Sequence, residues 1–266
     1  TRSAHMNGRY SIVRPDTQFS FQSVFNTSNG ETDSDNIPFC DWMFDTNASV
    51  SYANVMALDT QSCDSIPYVR CDASGNVIEV IVGGRGMSGS VNFALFALMP
   101  ALRKLSLSYN RLSGSVLSSV FASAVLEEVY LTKNMFTGPI PCPLVAEPML
   151  TEVSLANNQF SGSLPGCLFT WLPRLRDLSI SNNRLTSSAI PPEIASAQQL
   201  TTLRANEAGL SGSLPVELRC ARRLITLTLR GNALTGSIPQ EAINGLIMLN
   251  PLDVGYNKLT GMIPVF

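Results

Sequence analysis

One spacing of apolar and polar residues recurs eight times in this chain and constrains its fold more than any other feature. From Val77 onward, the pattern LxxLxLxxNxLxGxIP returns every 24 or 25 residues, with clear copies at residues 150–165 and 224–239. The copies begin at Val77, Leu102, Leu126, Leu150, Leu175, Leu200, Leu224 and Leu249. Self-similarity at this period is typical of a solenoid, in which each unit packs against its neighbours. The sequence therefore predicts one elongated domain.

Each copy opens with a short alternation of apolar and polar side chains. In the copy LTEVSLANNQFSGSLP, Leu150, Val153 and Leu155 are apolar, whereas Glu152 and Ser154 are polar. A period of two places the apolar set on one face of a β-strand, and the leucine and asparagine spacing is that of a leucine-rich repeat. We predict an α/β solenoid, a right-handed leucine-rich-repeat superhelix with a parallel concave β-sheet and about eight repeats of 24–25 residues.

Three further columns of residues are predicted to shape the turns of this scaffold. A repeated amide after each strand supplies donors and an acceptor to neighbouring coils, so we interpret the asparagines as structural. The glycines supply tight bends, and the prolines precede brief convex helices or 3₁₀ turns, predicted at residues 192–199 and 216–223. The asparagines are Asn110, Asn134, Asn158, Asn183, Asn232 and Asn257, and the glycines are Gly89, Gly114, Gly138, Gly162, Gly212, Gly236 and Gly261.

The repeat pattern divides the chain into three segments. Residues 1–6, TRSAHM, are interpreted as a vector remnant. Residues 7–76 are predicted to form a cysteine-containing N-terminal cap, and residues 77–266 to form the repeats, the last of them truncated and without a C-terminal cap. Solenoids need polar caps for solubility. We therefore expect the natural chain to continue past Phe266 or to have been trimmed there.

The predicted cap carries features of a secreted or cell-surface protein. Its two glycosylation tripeptides begin at Asn26 and Asn47. Cys63 and Cys71 enclose a short loop and are predicted to form a disulfide, with Cys40 as the alternative partner of either. We expect an extracellular or cell-surface location and glycans at both asparagines.

Three more cysteines lie within the repeats. Cys142 and Cys167 are 25 residues apart, at nearly equivalent convex positions of successive units. Adjacent coils can meet the Cα separation of about 4.4–6.8 Å that a disulfide requires. We predict a bridge between these two cysteines, whereas the pairing of Cys40 and Cys220 stays open.

Composition argues against several classes of function. The net charge is −2, only 14% of the residues are charged, and no basic stretch is present, which argues against nucleic acid as a partner. The longest apolar run, residues 93–102, is too short to span a bilayer, so a membrane would enter only through segments absent from this chain. The single histidine is His5, so no serine or cysteine nucleophile has a histidine base in the repeats. We expect neither an enzyme nor a cofactor or metal site.

The repeat resembles one particular subclass of leucine-rich repeats. The LxGxIP tail after LxxLxLxxN is similar to plant-type extracellular repeats across 77–266, or 190 of 266 residues. That subclass includes receptor-kinase ectodomains, receptor-like proteins, polygalacturonase-inhibiting proteins and some protozoan surface antigens. In the cap, Phe39-Cys-Asp-Trp and Tyr68-Val-Arg-Cys-Asp resemble the subclass's Cys-x-Trp and Gly-Val-x-Cys elements. The resemblance implies a binding module.

Two adjacent repeats depart from the pattern. In the repeat that begins at Leu200, Ala208 occupies the asparagine column. In the preceding repeat, residues 185–190 are one residue longer than their counterparts, and Ser187-Ser188 replaces the glycine step. Repeat drift explains such faults, and so does a local change of shape beside a binding site.

Outward strand positions carry the candidate ligand-binding residues on the concave face. They form the richest run of mixed charge with an aromatic, and they flank the irregular repeats. Tyrosine and arginine are enriched at binding hot spots. The predicted set is Tyr130, Glu152, Arg176, Asp177, Arg204, Glu207 and Arg230.

These features favour an extracellular module that binds a protein or peptide ligand. We interpret the chain as the ligand-binding ectodomain of a cell-surface receptor or surface protein. Two alternatives stay open. One is a secreted inhibitor that occludes a glycosidase cleft, as the resemblance to polygalacturonase-inhibiting proteins implies. The other is a structural or adhesive surface coat protein.

Overall fold

The computed structural model describes residues 25–26, 68–93, 96, 99–143, 148–186 and 188–264. Several positions singled out in the sequence lie outside these residues, namely residues 1–6, Cys40, Cys63, Asn47 and Ser187. Most of the predicted cap lies outside them as well.

The described residues contain seventeen short strands, most of them three to five residues long. In chain order they are β1 (Phe25–Asn26), β2 (Val69–Cys71), β3 (Val77–Ile81), β4 (Ser88–Val91), β5 (Lys104–Ser106), β6 (Arg111–Ser115), β7 (Glu128–Tyr130), β8 (Met135–Pro139), β9 (Glu152–Ser154), β10 (Gln159–Ser161), β11 (Asp177–Ser179), β12 (Thr202–Arg204), β13 (Ser211–Gly212), β14 (Thr226–Thr228), β15 (Ala233–Gly236), β16 (Leu252–Asp253) and β17 (Lys258–Leu259).

The principal sheet has nine strands in the order β16-β14-β12-β11-β9-β7-β5-β3-β2. Eight of them, β3 to β16, are parallel and come one from each repeat, whereas β2 runs antiparallel to β3. Equivalent positions of successive repeats pair directly, as in Leu105 with Val129 and Val129 with Val153. The predicted leucine-rich-repeat solenoid with a parallel sheet is therefore confirmed.

A second layer of strands follows the asparagine column of the repeats. One sheet has the order β1-β4-β6-β8-β10 and another the order β13-β15-β17. All pairs in them are parallel except that of β1 with β4. Between the two sheets, the repeat that begins at Leu175 contributes only an isolated bridge from Ser188 to Leu210. The layer is thus interrupted at the irregular repeats.

Short helices close the convex side. They are the α-helices α1 (Cys167–Thr170) and α2 (Gln240–Gly245) and the 3₁₀ helices Ser118–Ala122, Pro192–Ser196 and Val216–Cys220. Pro191 and Pro215 stand immediately before the last two, in extended conformation. Both convex helices predicted from the proline pairs are therefore confirmed.

The core runs the length of the solenoid between the concave sheet and the convex helices. Inward strand residues such as Leu105, Val153 and Leu203 are 0–1% exposed. Phe93, two residues after β4, and Phe136, in β8, pack with tilted rings whose centroids are 5.6 Å apart. Because each coil buries its apolar column only against its neighbours, this burial of apolar area is what stabilises the stack.

The asparagine column forms a buried ladder between coils. The Asn158 Oδ1 atom accepts the backbone N–H of Phe136 (3.1 Å), and its Nδ2 atom donates to the carbonyls of Leu131 (2.9 Å) and Leu155 (3.1 Å). Equivalent bonds occur at Asn110, Asn134, Asn183, Asn232 and Asn257. These amides satisfy backbone groups that would otherwise be buried unpaired, which confirms their structural role.

A disulfide joins two convex coils. Cys142 and Cys167 are bridged, with their Cα atoms 5.7 Å apart, as the sequence predicts. Cys71 is also disulfide-bonded, and its predicted partner Cys63 lies outside the described residues. Cys220 is a free, partly exposed thiol.

Candidate functional site

The concave face presents regular columns of outward side chains. The register places Lys104, Glu128, Glu152, Asp177, Thr202 and Thr226 in one line, which we call the first column. It places Ser106, Tyr130, Ser154, Ser179, Arg204 and Thr228 in a second column. Both columns lie at strand positions that alternate with buried leucines and valines, because successive side chains of a strand point to opposite faces. Their side chains therefore lie on the concave side, and all of them are at least partly exposed except Thr202, which is buried.

Tyr130 is held by a carboxylate on the next coil. Its hydroxyl donates a hydrogen bond to Glu152. The Lys104 ammonium lies 5.1 Å from the centre of the Tyr130 ring and pairs with Glu128 at 2.5 Å. Partial burial, followed by the Glu152 and Glu128 carboxylates, raises the pKa of the Tyr130 hydroxyl above its ordinary value. Tyr130 is thus a protonated donor with a fixed orientation.

Arg204 is held in a matching way on the other side. Its Nη1 atom lies 3.0 and 3.3 Å from the two carboxylate oxygens of Asp177, on the preceding coil. Tyr130 and Arg204 share the second column, and their carboxylate partners share the first. Each of these two large side chains is therefore hydrogen-bonded to a carboxylate on the neighbouring strand.

Small residues fill the interval between them. In the second column, Tyr130 is followed by Ser154, Ser179 and then Arg204. Three strand steps separate Tyr130 from Arg204, about 14 Å at the usual spacing between strands. Between these two large side chains the second column therefore carries only serines, and we call this interval, bounded by the Tyr130 ring and the Arg204 guanidinium, the slot.

A ridge of residues with positive φ borders the columns. In every repeat, the third residue after the strand of the principal sheet has a φ of 50–70°. These residues, here called the ridge, are Gly84, Tyr109, Lys133, Asn157, Asn182, Glu207, Gly231 and Tyr256. Positive φ is uncommon for residues other than glycine and asparagine. Two ridge tyrosines contact cations, because Lys133 lies 4.8 Å from the Tyr109 ring centre and Arg230 lies 4.1 Å from that of Tyr256.

Glu207 and Arg230 border a shallow depression on this ridge. The Glu207 backbone N–H donates to the Arg230 carbonyl (2.8 Å), so the two residues lie on adjacent coils. The depression is lined by Asn183, Glu207, Gly209, Arg230, Gly231 and Tyr256. Among the described residues, neither Glu207 nor Arg230 forms an ion pair. Two of the sequence-selected residues therefore meet here, away from the central slot.

Arg176 stands apart from the other selected residues. It is exposed but precedes strand β11 by one residue, in a register with Thr151 and Thr201. By the two-residue alternation of the strand it belongs to neither outward column. Conversely, the sequence-selected set omits Lys104, Glu128 and Tyr256, which contact Tyr130, Lys104 and Arg230 respectively. Position within the repeat would have found all three, since Lys104 and Glu128 lie in the first column and Tyr256 lies three residues after its concave strand.

The described residues contain no group of three or more histidine, cysteine, aspartate or glutamate residues arranged to hold a metal ion. None of the helices in that part of the chain is long and apolar enough to cross a bilayer.

The family model described as Leucine Rich Repeat matches the chain at residues 101–122, 149–171 and 174–197. These segments fall within three of the eight repeats. None of the curated proteins compared with the chain matches it significantly.

Solved structures of plant receptors resemble the chain more extensively. The Arabidopsis thaliana receptor kinase GASSHO1/SCHENGEN3 ectodomain, in complex with CASPARIAN STRIP INTEGRITY FACTOR 2, is 28% identical over 91% of this chain and 26% of its own, with a TM-score of 0.72. The plant peptide hormone receptor RGFR1 in complex with RGF2 is 30% identical over 67% of this chain and 28% of its own, with a TM-score of 0.63. The Arabidopsis HAESA ectodomain with an IDA peptide hormone ligand is 32% identical over 66% and 33%, with a TM-score of 0.54. The chain thus spans about a quarter to a third of the length of these receptors.

Proposed function

We propose that this chain, which carries leucine-rich repeats of the plant-type extracellular class, recognises a protein or peptide ligand on its concave face. It does so as the ligand-binding part of a cell-surface receptor or surface protein. The ligand lies across the slot between Tyr130 and Arg204. The remaining selected residues on the concave side contact it at the edges of this site.

The paired orientation of Tyr130 and Arg204 carries this proposal. Tyrosine and arginine dominate binding energy at interfaces when they are well packed and desolvated. Here, Glu152 and Asp177 hold them in place before any ligand arrives. Fewer rotamers are then lost on association, which lowers the entropic cost of binding. The serines between them leave room for a peptide backbone.

The similar receptors support the same class of ligand. RGFR1, a peptide hormone receptor, was solved with RGF2, GASSHO1/SCHENGEN3 with CASPARIAN STRIP INTEGRITY FACTOR 2, and HAESA with an IDA peptide hormone ligand. This chain has the same kind of repeat and the same parallel concave sheet, and its exposed face carries both charge signs. Such a face suits peptide recognition better than it suits nucleic acid, which needs a basic surface.

The test uses peptides selected on the protein itself. A display library is selected on immobilised wild-type protein and counter-selected on the Tyr130→Ala/Arg204→Ala double variant. Affinities of the selected peptides are then measured for each single variant. An anchor worth about 2 kcal/mol gives roughly a thirtyfold loss on truncation, and both variants should stay folded because neither side chain enters the core.

Matched controls are available on the convex side. Glu193 and Arg219 are exposed residues of the 3₁₀ helices, and their alanine variants are expected to bind as the wild type does. If these variants reduce affinity more than Tyr130→Ala and Arg204→Ala, the concave assignment is wrong.

An extracellular location accompanies the proposed function. The Cys142–Cys167 disulfide supports it, because disulfides persist mainly in oxidising compartments. Asn26 and Asn47 are then glycosylated on secretion from eukaryotic cells. Intact mass before and after glycosidase treatment tests this, and an unchanged mass would contradict it.

A further inference from the structure

We propose that the depression at Gly231 is a second subsite, which binds a peptide segment with a basic and an acidic side chain two residues apart. We call it the notch and define it by its lining residues Glu207, Arg230, Gly231 and Tyr256 with Asn183 and Gly209. The inference rests on the proposed function, since it concerns a further part of the same ligand. It assigns the Glu207 carboxylate to the basic side chain and the Arg230 guanidinium to the acidic one.

Unpaired opposite charges are the first observation. Two other pairs of opposite charge on the concave side bond to one another, Lys104 with Glu128 and Arg204 with Asp177. Glu207 and Arg230 are both exposed and lie on adjacent coils, yet their side chains form no ion pair with each other or with another described residue. Each therefore keeps its charge available for a partner.

The absent side chain at Gly231 is the second observation. Every other ridge position from Tyr109 to Tyr256 carries a side chain, whereas Gly231, with a φ of +70°, carries none. A Cβ atom placed on Gly231 would lie 2.8 Å from the Cγ atom of Glu207. The gap between Glu207 and Tyr256 therefore depends on glycine at this one position.

The placement of Arg230 is the third observation. Its guanidinium lies 4.1 Å from the centre of the Tyr256 ring, and Tyr256 is 77% exposed. Contact with an aromatic face fixes the plane of the guanidinium and leaves its edge N–H groups free for a carboxylate in bidentate geometry. Asp253, the nearest acid on the next coil, accepts instead the N–H of Gly255 at 3.0 Å.

The register sets the spacing of the ligand's charges. The Glu207 N–H donates to the Arg230 carbonyl (2.8 Å). The two residues therefore lie on adjacent coils, with Glu207 at the repeat position of Gly231 and Arg230 one residue before that position. Side chains two residues apart on an extended peptide point to the same side and are about 6.6 Å apart. Such a pair can reach both charges, whereas adjacent residues point to opposite sides.

The experiment uses short peptides with blocked termini, so that only side chains carry charge. Acetylated and amidated peptides containing Lys-Ser-Asp or Asp-Ser-Lys are titrated into ¹⁵N-labelled protein and compared with Lys-Asp-Ser and Gln-Ser-Asn peptides. We expect one of the spaced peptides to shift the amide signals of Glu207 and Gly231 and to bind about tenfold more tightly than the other sequences.

Three variants test the roles of the lining residues. Glu207→Gln and Arg230→Gln should each weaken the preferred peptide by about tenfold, because a charged hydrogen bond is lost. Gly231→Asn should fill the notch and abolish binding without unfolding the protein, since Asn157 and Asn182 occupy the same ridge position with positive φ. Asn182→Gly serves as the matched control on a different coil and should leave binding unchanged.

The outcomes separate this inference from the proposed function. If the blocked peptides bind without regard to spacing, shift other residues, or bind Gly231→Asn as well as wild type, the notch is not a subsite. If library-selected peptides still depend on Tyr130 and Arg204 in that case, the proposed function stands alone. Loss of dependence on Tyr130 and Arg204 with retained binding at the notch would instead overturn the concave-slot assignment.

Discussion

The backbone N–H of Leu185 donates a hydrogen bond to the carbonyl oxygen of Ala208, at 2.9 Å. In regular coils the equivalent N–H donates to an asparagine side chain, as Phe136 does to Asn158 at 3.1 Å and Leu210 to Asn232 at 3.0 Å. Ala208, which stands in place of a ladder asparagine, is therefore bonded directly to the segment 185–190, which is one residue longer than its counterparts. The two irregularities of the sequence compensate for each other.

Neighbouring residues show how the compensation works. Ala208 has no side-chain acceptor, and its backbone comes close enough to Leu185 to replace one. Gly209 permits that approach, since a Cβ atom there would lie 2.1 Å from the Leu185 carbonyl oxygen. Ser188, from the longer segment, accepts the N–H of Leu164 through its hydroxyl at 2.6 Å. The buried backbone groups stay paired although the asparagine ladder is broken.

The first prediction compares a ladder residue with the position that lacks one. Asn158→Ala should lower the free energy of unfolding by about 2–4 kcal/mol, because it leaves a buried N–H and carbonyl groups without their partner. Ala208→Asn should also destabilise, by about 1–3 kcal/mol, because the added side chain enters a filled space whose donor is already bonded. Chemical denaturation of both variants measures these changes. A stabilising Ala208→Asn would show that the ladder gap is uncompensated drift.

The second prediction contrasts two adjacent residues of strand β12. Leu203 is fully buried, and Leu203→Ala should destabilise the protein by about 2–5 kcal/mol through lost burial and a cavity. Arg204 is exposed, and its bond to Asp177 at the surface is worth at most about 1 kcal/mol. Arg204→Ala should therefore leave the melting temperature almost unchanged. Equal losses of stability would mean that Arg204 is part of the packing.

The third prediction concerns the convex disulfide. The bridge between Cys142 and Cys167 closes a loop with a sequence separation of 25 residues, and removal of a disulfide of this kind costs about 2–4 kcal/mol. The Cys142→Ser/Cys167→Ser double variant should show this loss, whereas Cys220→Ser, at a free thiol, should not. Peptide mapping without reductant should recover Cys142 and Cys167 linked. Recovery of both as free thiols would contradict the assignment and weaken the extracellular placement.

The scaffold was predictable because repetition multiplies a weak local signal. A single LxxLxL segment fits many folds, but eight copies at one period admit a solenoid and little else. The strand positions, the asparagine ladder and the convex helices at Pro192 and Val216 all follow from that period. The fit between Leu185 and Ala208 was less predictable, since the sequence shows two departures but not that their backbones bond.

The candidate site was predictable only as a list of outward positions. Alternation identifies Tyr130, Glu152 and Arg204 as outward residues. It does not predict the bond from Tyr130 to Glu152, because that bond depends on the rotamer of Tyr130 and on which neighbouring carboxylate its hydroxyl reaches. The selection of Arg176 does not follow from alternation, because it is adjacent to Asp177 and the strand begins only at Asp177. The notch is harder still to predict, because its main feature is the missing side chain of Gly231.

The last prediction uses the pH dependence of Tyr130. Burial and the nearby carboxylates raise its pKa in the folded protein, whereas the unfolded chain ionises at the ordinary tyrosine value of about 10. The folded state therefore retains the proton longer, so the stability from this hydroxyl is complete below pH 10 and declines as the pH rises through the interval above it. Tyr130→Phe removes the hydroxyl and should cost about 1 kcal/mol at neutral pH. The difference in unfolding free energy between wild type and Tyr130→Phe should stay constant from pH 6 to 9 and shrink above pH 10, as measured by denaturant titration. A difference that grows with pH would mean that Tyr130 ionises more readily in the folded protein, and the proposed bond to Glu152 would then be wrong.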